Sequence, residues 1–313
     1  MFQFTSRRSR AAGLLLPLSL VLTACGGSSA GGSESSTSAA AEESAFPVTV
    51  TGDDGELTLE AQPEAIVSMS ASATEMLFAM GAGPQVEAVD MTSNYPEDVP
   101  TTDLSAFTPN AEAIAGYQPD LVVLSDDLNG IVAALDALSI PTLLLGAPDT
   151  LEESYEQFET LGAATGHADD AAKAVQDVQD RIDAAIESAA DAEGMTVYHE
   201  LDPTYYSASS STFIGSIYGL FGLENIADEA PGAETGYPQL SAEYVVGAAP
   251  DLIVLADTIC CDQSADAVAQ RPAFDTVPAV HEGRVLEGND DIASRWGPRI
   301  ADFAESVAET LNG

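Results

Sequence analysis

The chain alternates short apolar runs with longer stretches in which apolar residues recur every three or four positions. Ile66-Val-Ser-Met69, Val86 to Val89, Leu121-Val-Val-Leu124, Thr142 to Leu145 and Leu252-Ile-Val-Leu255 belong to the first kind. Such runs, apolar at successive rather than alternate positions, fit strands buried on both faces of a parallel sheet. Helical patterns lie between them, from Ser72 to Met80, Leu128 to Leu138, Leu151 to Thr165 and Ile300 to Leu311. Ser72 with Glu75 three residues on reads as a capping box, and Gly81-Ala-Gly83-Pro84 ends that helix. Ala168 to Ala192 is a long Ala-rich helical pattern whose stripe of Val175, Val178, Ile182 and Ile186 has no strand beside it. Strands and helices then resume at Met195 to Tyr198, Phe213 to Phe221 and Arg284 to Leu286. The alternation predicts an α/β fold.

One stretch of this pattern occurs twice. Asn110-Ala-Glu-Ala-Ile-Ala-Gly-Tyr-Gln-Pro-Asp-Leu-Val-Val-Leu124 aligns without a gap on Ser241-Ala-Glu-Tyr-Val-Val-Gly-Ala-Ala-Pro-Asp-Leu-Ile-Val-Leu255, 131 positions later. Each copy opens on a capping residue (Asn110, Ser241), places a glutamate in the first turn (Glu112, Glu243), stops the helix at Pro-Asp and runs into an apolar strand. The repeat predicts two similar α/β lobes, each with a central sheet. The Ala168 to Ala192 helix is the single connection between them.

The N-terminus has a different character. Arg7, Arg8 and Arg10 precede an apolar stretch from Ala11 to Leu22, too short to span a bilayer comfortably, and Leu22-Thr-Ala-Cys25-Gly26 follows. This resembles a bacterial lipoprotein lipobox, which implies a diacylated N-terminus at Cys25; the other reading is a plain secretory signal with an incidental cysteine. Gly26 to Ser44 is Gly, Ser, Ala and Glu without core-forming residues, a flexible tether. The expected division is therefore signal 1–24, tether 25–45, first lobe 46–166, linking helix 167–193 and second lobe 194–313.

Charge narrows the function. Nine basic residues stand against 51 acids, for a net charge of −42, and three of the nine precede Cys25. Such a surface repels nucleic acid and anionic headgroups, so membrane association is expected through the lipid anchor alone. Solubility, notably in salty surroundings, explains the acidity equally simply. Beyond Cys25 the only cysteines are Cys260 and Cys261. An exported protein would bond them to each other; a reduced pair is the alternative, and a metal site is weaker because no further Cys or His stands at ligand spacing. Catalysis is not expected. Ser207 to Ser211 near His199 invites a hydrolase reading, but the globular part has no Gly-x-Ser-x-Gly elbow, and His199 sits in an apparent strand, where a core histidine is the simpler reading.

Taken in order, Ile66-Val-Ser-Met-Ser-Ala-Ser-Ala-Thr-Glu-Met-Leu-Phe-Ala-Met-Gly81, Ser93-Asn-Tyr-Pro96, the two Glu-x₆-Pro-Asp-Leu units, Gly222-Leu-Glu-Asn-Ile226 and Arg295-Trp-Gly-Pro-Arg299 resemble the iron-complex and vitamin B12 solute-binding family of ABC importers. The resemblance covers the chain from Phe46 onward. It implies two α/β lobes joined by one long helix, a ligand cleft between them, and a monomer that serves a permease dimer with a cytoplasmic ATPase. It also implies that Glu112 and Glu243 dock onto permease arginines. The ligand-contact residues expected in the cleft are Ser70, Ser72, Asn94, Tyr95 and Phe107 from the first lobe. Tyr205, Tyr206, Arg295 and Trp296 are expected from the second, with Tyr95 and Trp296 as facing aromatic walls. No resident cofactor is expected, because the metal chelate is itself the ligand. Six basic residues beyond Cys25 are too few for a strongly anionic catecholate, so the expected ligand is a neutral or cationic ferric siderophore or cobalamin. A haem receptor and a surface ligand sensor without a transporter are the alternatives.

Overall fold

The computed structural model describes residues 46–313, so Cys25, the signal and the tether lie outside the described residues. The first element is a hairpin that a search for continuous apolar runs passes over: β1 (Val48–Gly52) and β2 (Gly55–Leu59) pair antiparallel across Asp53-Asp54. The first lobe follows, as β3 (Ile66–Met69), α1 (Ala71–Ala79), β4 (Val86–Val89), α2 (Ala111–Ala115), β5 (Leu121–Leu124), α3 (Ile131–Asp136) and β6 (Thr142–Leu144). Two long helices come next, α4 (Leu151–Thr165) and α5 (Ala168–Ser188). The second lobe is β7 (Thr196–Glu200), α6 (Phe213–Leu220), β8 (Glu224–Asn225), α7 (Ala242–Ala248), β9 (Leu252–Leu255), α8 (Thr258–Cys261), α9 (Ala265–Ala269), α10 (Pro278–His281), β10 (Val285–Glu287) and α11 (Ile300–Asn312).

The two sheets share one topology. Their strand orders are β4-β3-β5-β6 and β8-β7-β9-β10, with every pairing parallel. The repeated segment supplies the third strand of each lobe in sequence, β5 and β9, and its details recur. Asn110 Oδ1 accepts from Ala113 N at the start of α2, as Ser241 Oγ accepts from Tyr244 N at the start of α7. The aspartate of each Pro-Asp ties the neighbouring strand's entry to its own. Asp120 accepts from Glu64 N and Ala65 N just ahead of β3, and Asp251 accepts from Thr196 N at the head of β7.

Strand faces explain why the apolar runs are unbroken. Leu121 and Val123 of β5, like Leu252 and Val254 of β9, enter one core that serves both lobes. Val122 and Leu124 face a second core with Ile114 and Leu135, while Ile253 and Leu255 face a third with Phe274 and Val245. Val175, Val178 and Ile182 of α5 lie in the shared core, with Phe158 of α4 and Phe303 and Val307 of α11. A helix layer common to both sheets thus joins the lobes, and the long pattern ends as a helix at Ser188 rather than Ala192.

Two local expectations fail. Ser70, not Ser72, caps α1: its Oγ accepts from Ala73 N. Ser72 is the second residue of the helix, and Glu75 reaches away from the helix start toward arginines more than two hundred residues distant. The pattern from Leu128 is also broken, because Asn129 and Gly130 take left-handed φ values of 59° and 71°, and α3 begins only at Ile131.

Candidate functional site

A cavity of about 320 Å³ lies between the lobes, walled by loops that follow strand ends. From the first lobe come Ala147, Pro148 and Asp149, after β6. From the second come Leu201 after β7, Ser211 to Ile214 at the start of α6, Glu234 to Tyr237 ahead of α7, and Ala293, Ser294 and Trp296 after β10. Tyr237 and Trp296 provide aromatic surface, and Ser211, Thr235 and Ser294 provide hydroxyls. The Tyr237 ring is 53% exposed in the free protein. Partial burial, and then the carboxylate of Asp149, push its hydroxyl pKa upward, so it remains a hydrogen-bond donor.

Trp296 is the one expected cleft residue that lines this cavity. Its indole Nε1 donates to Gln157 Oε1 (3.0 Å), its backbone N donates to Ser72 Oγ (3.3 Å), and its carbonyl accepts from Ser154 Oγ (2.7 Å). Three bonds to the first lobe and α4 hold the ring in place.

Arg295 faces the other way. Its guanidinium, 10% exposed, donates to Glu75 Oε1 (3.0 Å), Asn94 Oδ1 (3.0 Å), Thr92 O (2.8 Å) and Asp291 Oδ1 (2.7 Å). Arg299 Nε donates to the same Glu75 at Oε2 (3.0 Å), and Asn94 Nδ2 donates to Asp291 Oδ2 (2.7 Å). Glu75 of α1 is thus a buried acceptor for two arginines of the second lobe, its side chain 1% exposed. A methyl on Gly297 would stand 3.1 Å from Glu75 Oε2, so glycine permits this close approach. The network clamps the lobes behind the cavity and occupies both terminal nitrogens of Arg295, four of its five N–H donors.

The other expected residues are placed elsewhere. Ser70 and Ser72 are buried at α1, occupied by the contacts already given. The Tyr95 ring lies beneath the Arg299 guanidinium, 4.3 Å from its centroid, in a separate groove with Phe78 and Pro298. The aromatic pair expected from Tyr95 and Trp296 therefore does not share the cavity. Tyr205 stacks on Phe274 under Arg271, in the outer core of the second lobe. Phe107 is 71% exposed and Tyr206 is exposed beside its backbone bridge to Gln239; neither lines the cavity. Tyr237, which does, was signalled by its setting between Gly236 and Pro238, four residues before the second helix cap, much as Phe107 stands three before the first.

The remaining candidates sit outside the cleft. Glu112 and Glu243 are exposed in the first turns of α2 and α7, and among the described residues neither carboxylate has a hydrogen-bonding or ionic partner. Cys260 and Cys261 are disulfide-bonded in α8, where Asp290 accepts from Ile259 N and Cys260 N. His199 is a core residue: its Nδ1 meets the Tyr218 hydroxyl at 2.6 Å, and burial lowers its pKa to about 4. Glu200 beside it pairs with Arg271. Burial, followed by that same Glu200, raises the buried Asp257 carboxyl to about 7.

Comparison with known proteins places this architecture. The family model described as periplasmic binding protein matches residues 66–292. The chain belongs to that family. An uncharacterized ABC transporter substrate-binding lipoprotein, YvrC of Bacillus subtilis, is 26% identical over 315 residues, covering 96% of this chain and 97% of the relative. A cobalamin-binding protein of Halobacterium salinarum is 29% identical over 317 residues, covering 97% of this chain and 85% of the relative. Among solved structures, the periplasmic vitamin B12 binding protein BtuF of Vibrio cholerae superposes with a TM-score of 0.67 at 24% identity, covering 80% of this chain and 97% of that one. This likeness establishes the two-lobe fold. As a periplasmic binding protein, the chain belongs among receptors that hand small solutes to ABC transporters rather than among enzymes. Among the described residues no helix is long and apolar enough to cross a membrane.

Proposed function

We propose that the protein is an extracytoplasmic solute-binding lipoprotein that captures a corrinoid, or a comparably neutral or cationic metal chelate, between its lobes and delivers it to an ABC importer. One observation carries the choice of ligand. Among the described residues every lysine and arginine is paired with a carboxylate: Lys173 with Asp170, Arg181 with Asp302 and Glu305, Arg271 with Glu200, Arg284 with Asp251 and Glu282, Arg295 with Glu75 and Asp291, and Arg299 with Glu75. A ferric catecholate or the propionates of haem would meet no free cation in the cleft, and freeing one would break a buried pair. A corrinoid instead presents a broad apolar ring with peripheral amides, which suits aromatic walls and hydroxyls. The relatives named for cobalamin and vitamin B12 support this reading. A ligand larger than the cavity would keep part of its surface toward solvent.

Delivery is assigned to Glu112 and Glu243. Their equivalent places in the repeat put one unpartnered carboxylate on each lobe, suited to an arginine on each permease subunit. Anchoring is assigned to Cys25. The absorption spectrum of protein purified from its native host tests the ligand: corrinoid bands are expected, a ferric hydroxamate band would move the choice to a neutral or cationic siderophore, and a Soret band would overturn the assignment.

A further inference from the structure

The cavity between the lobes contains two carboxylates with no role in the fold. Asp149 stands in the loop between β6 and α4, and Glu234 in the loop ahead of α7, so each lobe contributes one. Among the described residues neither side chain has a hydrogen-bonding or ionic partner, and both are exposed to the cavity. Helix capping does not account for Asp149, because Thr150 caps α4 and the Asp149 backbone N is the group that donates, to Glu153. Nor does a nearby cation neutralise the pair. Arg295, next to two residues of the cavity wall, directs its guanidinium to Glu75, Asn94 and Asp291. The groups beside the carboxylates are the hydroxyls of Tyr237, Thr235, Ser211 and Ser294.

We propose that Asp149 and Glu234 are specificity residues that read the periphery of the ligand, accepting amides and repelling carboxylates. The inference rests on the corrinoid reading and deepens it. A primary amide and a carboxylate have nearly the same size and shape, so steric fit cannot separate them. Charge and hydrogen-bonding sense can. An amide N–H donates to a carboxylate oxygen. A ligand carboxylate brings like charge to it and has no proton to share. Because the two acids come from opposite lobes, a ligand spanning the cleft is tested on both sides. Tetrapyrroles that differ in having amide or acid side chains would be sorted in this way, with no metal contact required.

The test uses purified full-chain protein and two probes, cyanocobalamin and its monocarboxylic acid, in which one peripheral propionamide is hydrolysed. At 10 mM salt the wild type is expected to hold the amide about tenfold more tightly, and the preference should shrink at 0.5 M salt as the charges are screened. In the double variant Asp149→Asn, Glu234→Gln the two probes are expected to bind within about twofold of each other at either salt concentration. A second double variant, Asp136→Asn, Glu159→Gln, removes the same charge from exposed positions on α3 and α4, outside the cavity. It should keep the wild-type preference; equal loss in both variants would assign the effect to overall charge and overturn the proposal. Wild type that binds cyanocobalamin and the acid equally at low salt would also overturn it while leaving the corrinoid reading intact. Failure to bind either probe would overturn the corrinoid reading itself, and this inference with it.

Discussion

Glu75→Gln is the most informative single change in the fold. It keeps the shape of a side chain that is 1% exposed while removing the charge that faces Arg295 and Arg299. In the native network two guanidiniums are balanced by Glu75 and Asp291. In the variant one buried positive charge has no counterpart. Breaking a buried pair from one side typically costs roughly 3–5 kcal/mol, because the surviving ion is left in a low-dielectric site. For a body of this size roughly 2–4 °C of melting midpoint accompanies each kcal/mol, so thermal unfolding followed by circular dichroism should show a fall of roughly 6–20 °C. The exposed pair Lys173–Asp170 serves as the comparison, and Asp170→Asn should leave the midpoint where it was. Trp296 adds a second readout. It is the only tryptophan and directly follows Arg295, so loosening the clamp should shift its emission in the folded protein. A Glu75→Gln midpoint within 2 °C of wild type, with unchanged emission, would refute the claim that this network joins the lobes.

Reversing Glu112 or Glu243 to lysine should sharply reduce transport through the permease while leaving ligand affinity within about twofold, because each change puts like charges across the interface; loss of affinity with normal transport would move these residues to the cleft. Cys25→Ser should release the mature protein into the medium, and unchanged membrane fractionation would contradict anchoring at that residue. Asp257 provides a pH test. Its folded pKa of about 7 lies above the ordinary 3.8, so folding takes up a proton between those values and stability falls as pH rises from about 4 through about 7. Asp257→Asn should flatten that part of a denaturant-derived stability profile, and a profile parallel to wild type would refute the assignment. Finally, with 51 acids against nine basic residues, raising sodium chloride from 0.05 to about 1 M should raise the melting midpoint by screening self-repulsion; a falling midpoint would count against it.

Most of the sheet architecture was legible in the sequence because parallel strands buried on both sides are apolar along most of their length, with Ser68 in β3 and His199 and Glu200 in β7 as buried polar exceptions. Leu121 to Leu124 and Leu252 to Leu255 therefore announced themselves, and the repeat around them announced the second lobe. The hairpin was legible by a different signal, the alternation of Val48-Thr-Val-Thr51 and Glu56-Leu-Thr-Leu59 around Gly52-Asp-Asp-Gly55. Glu75 shows where local reading stops. A serine followed three residues later by glutamate looks the same whether the acid turns back to cap its helix or outward to a distant arginine, and only the partner on the other lobe decides. The cleft residues were harder for the same reason. Tyr205, Tyr206 and Tyr237 are all loop aromatics of the second lobe, yet one stacks on Phe274 in the outer core, one stands apart in the open, and one enters the cavity. Chain direction after a turn separates them, and composition does not encode it.

The central claim is that this cleft holds a corrinoid. Isothermal titration of ligand-free wild-type protein with cyanocobalamin, with haemin and a ferric catecholate titrated in parallel, tests it most directly, and Trp296 emission provides an internal check that the occupied site is the cavity described. The account predicts saturable one-to-one binding of cyanocobalamin with a change in Trp296 emission, and no comparable binding of the two anionic chelates. Tight one-to-one binding of haemin or the catecholate, with cyanocobalamin silent by heat and by fluorescence, would contradict it.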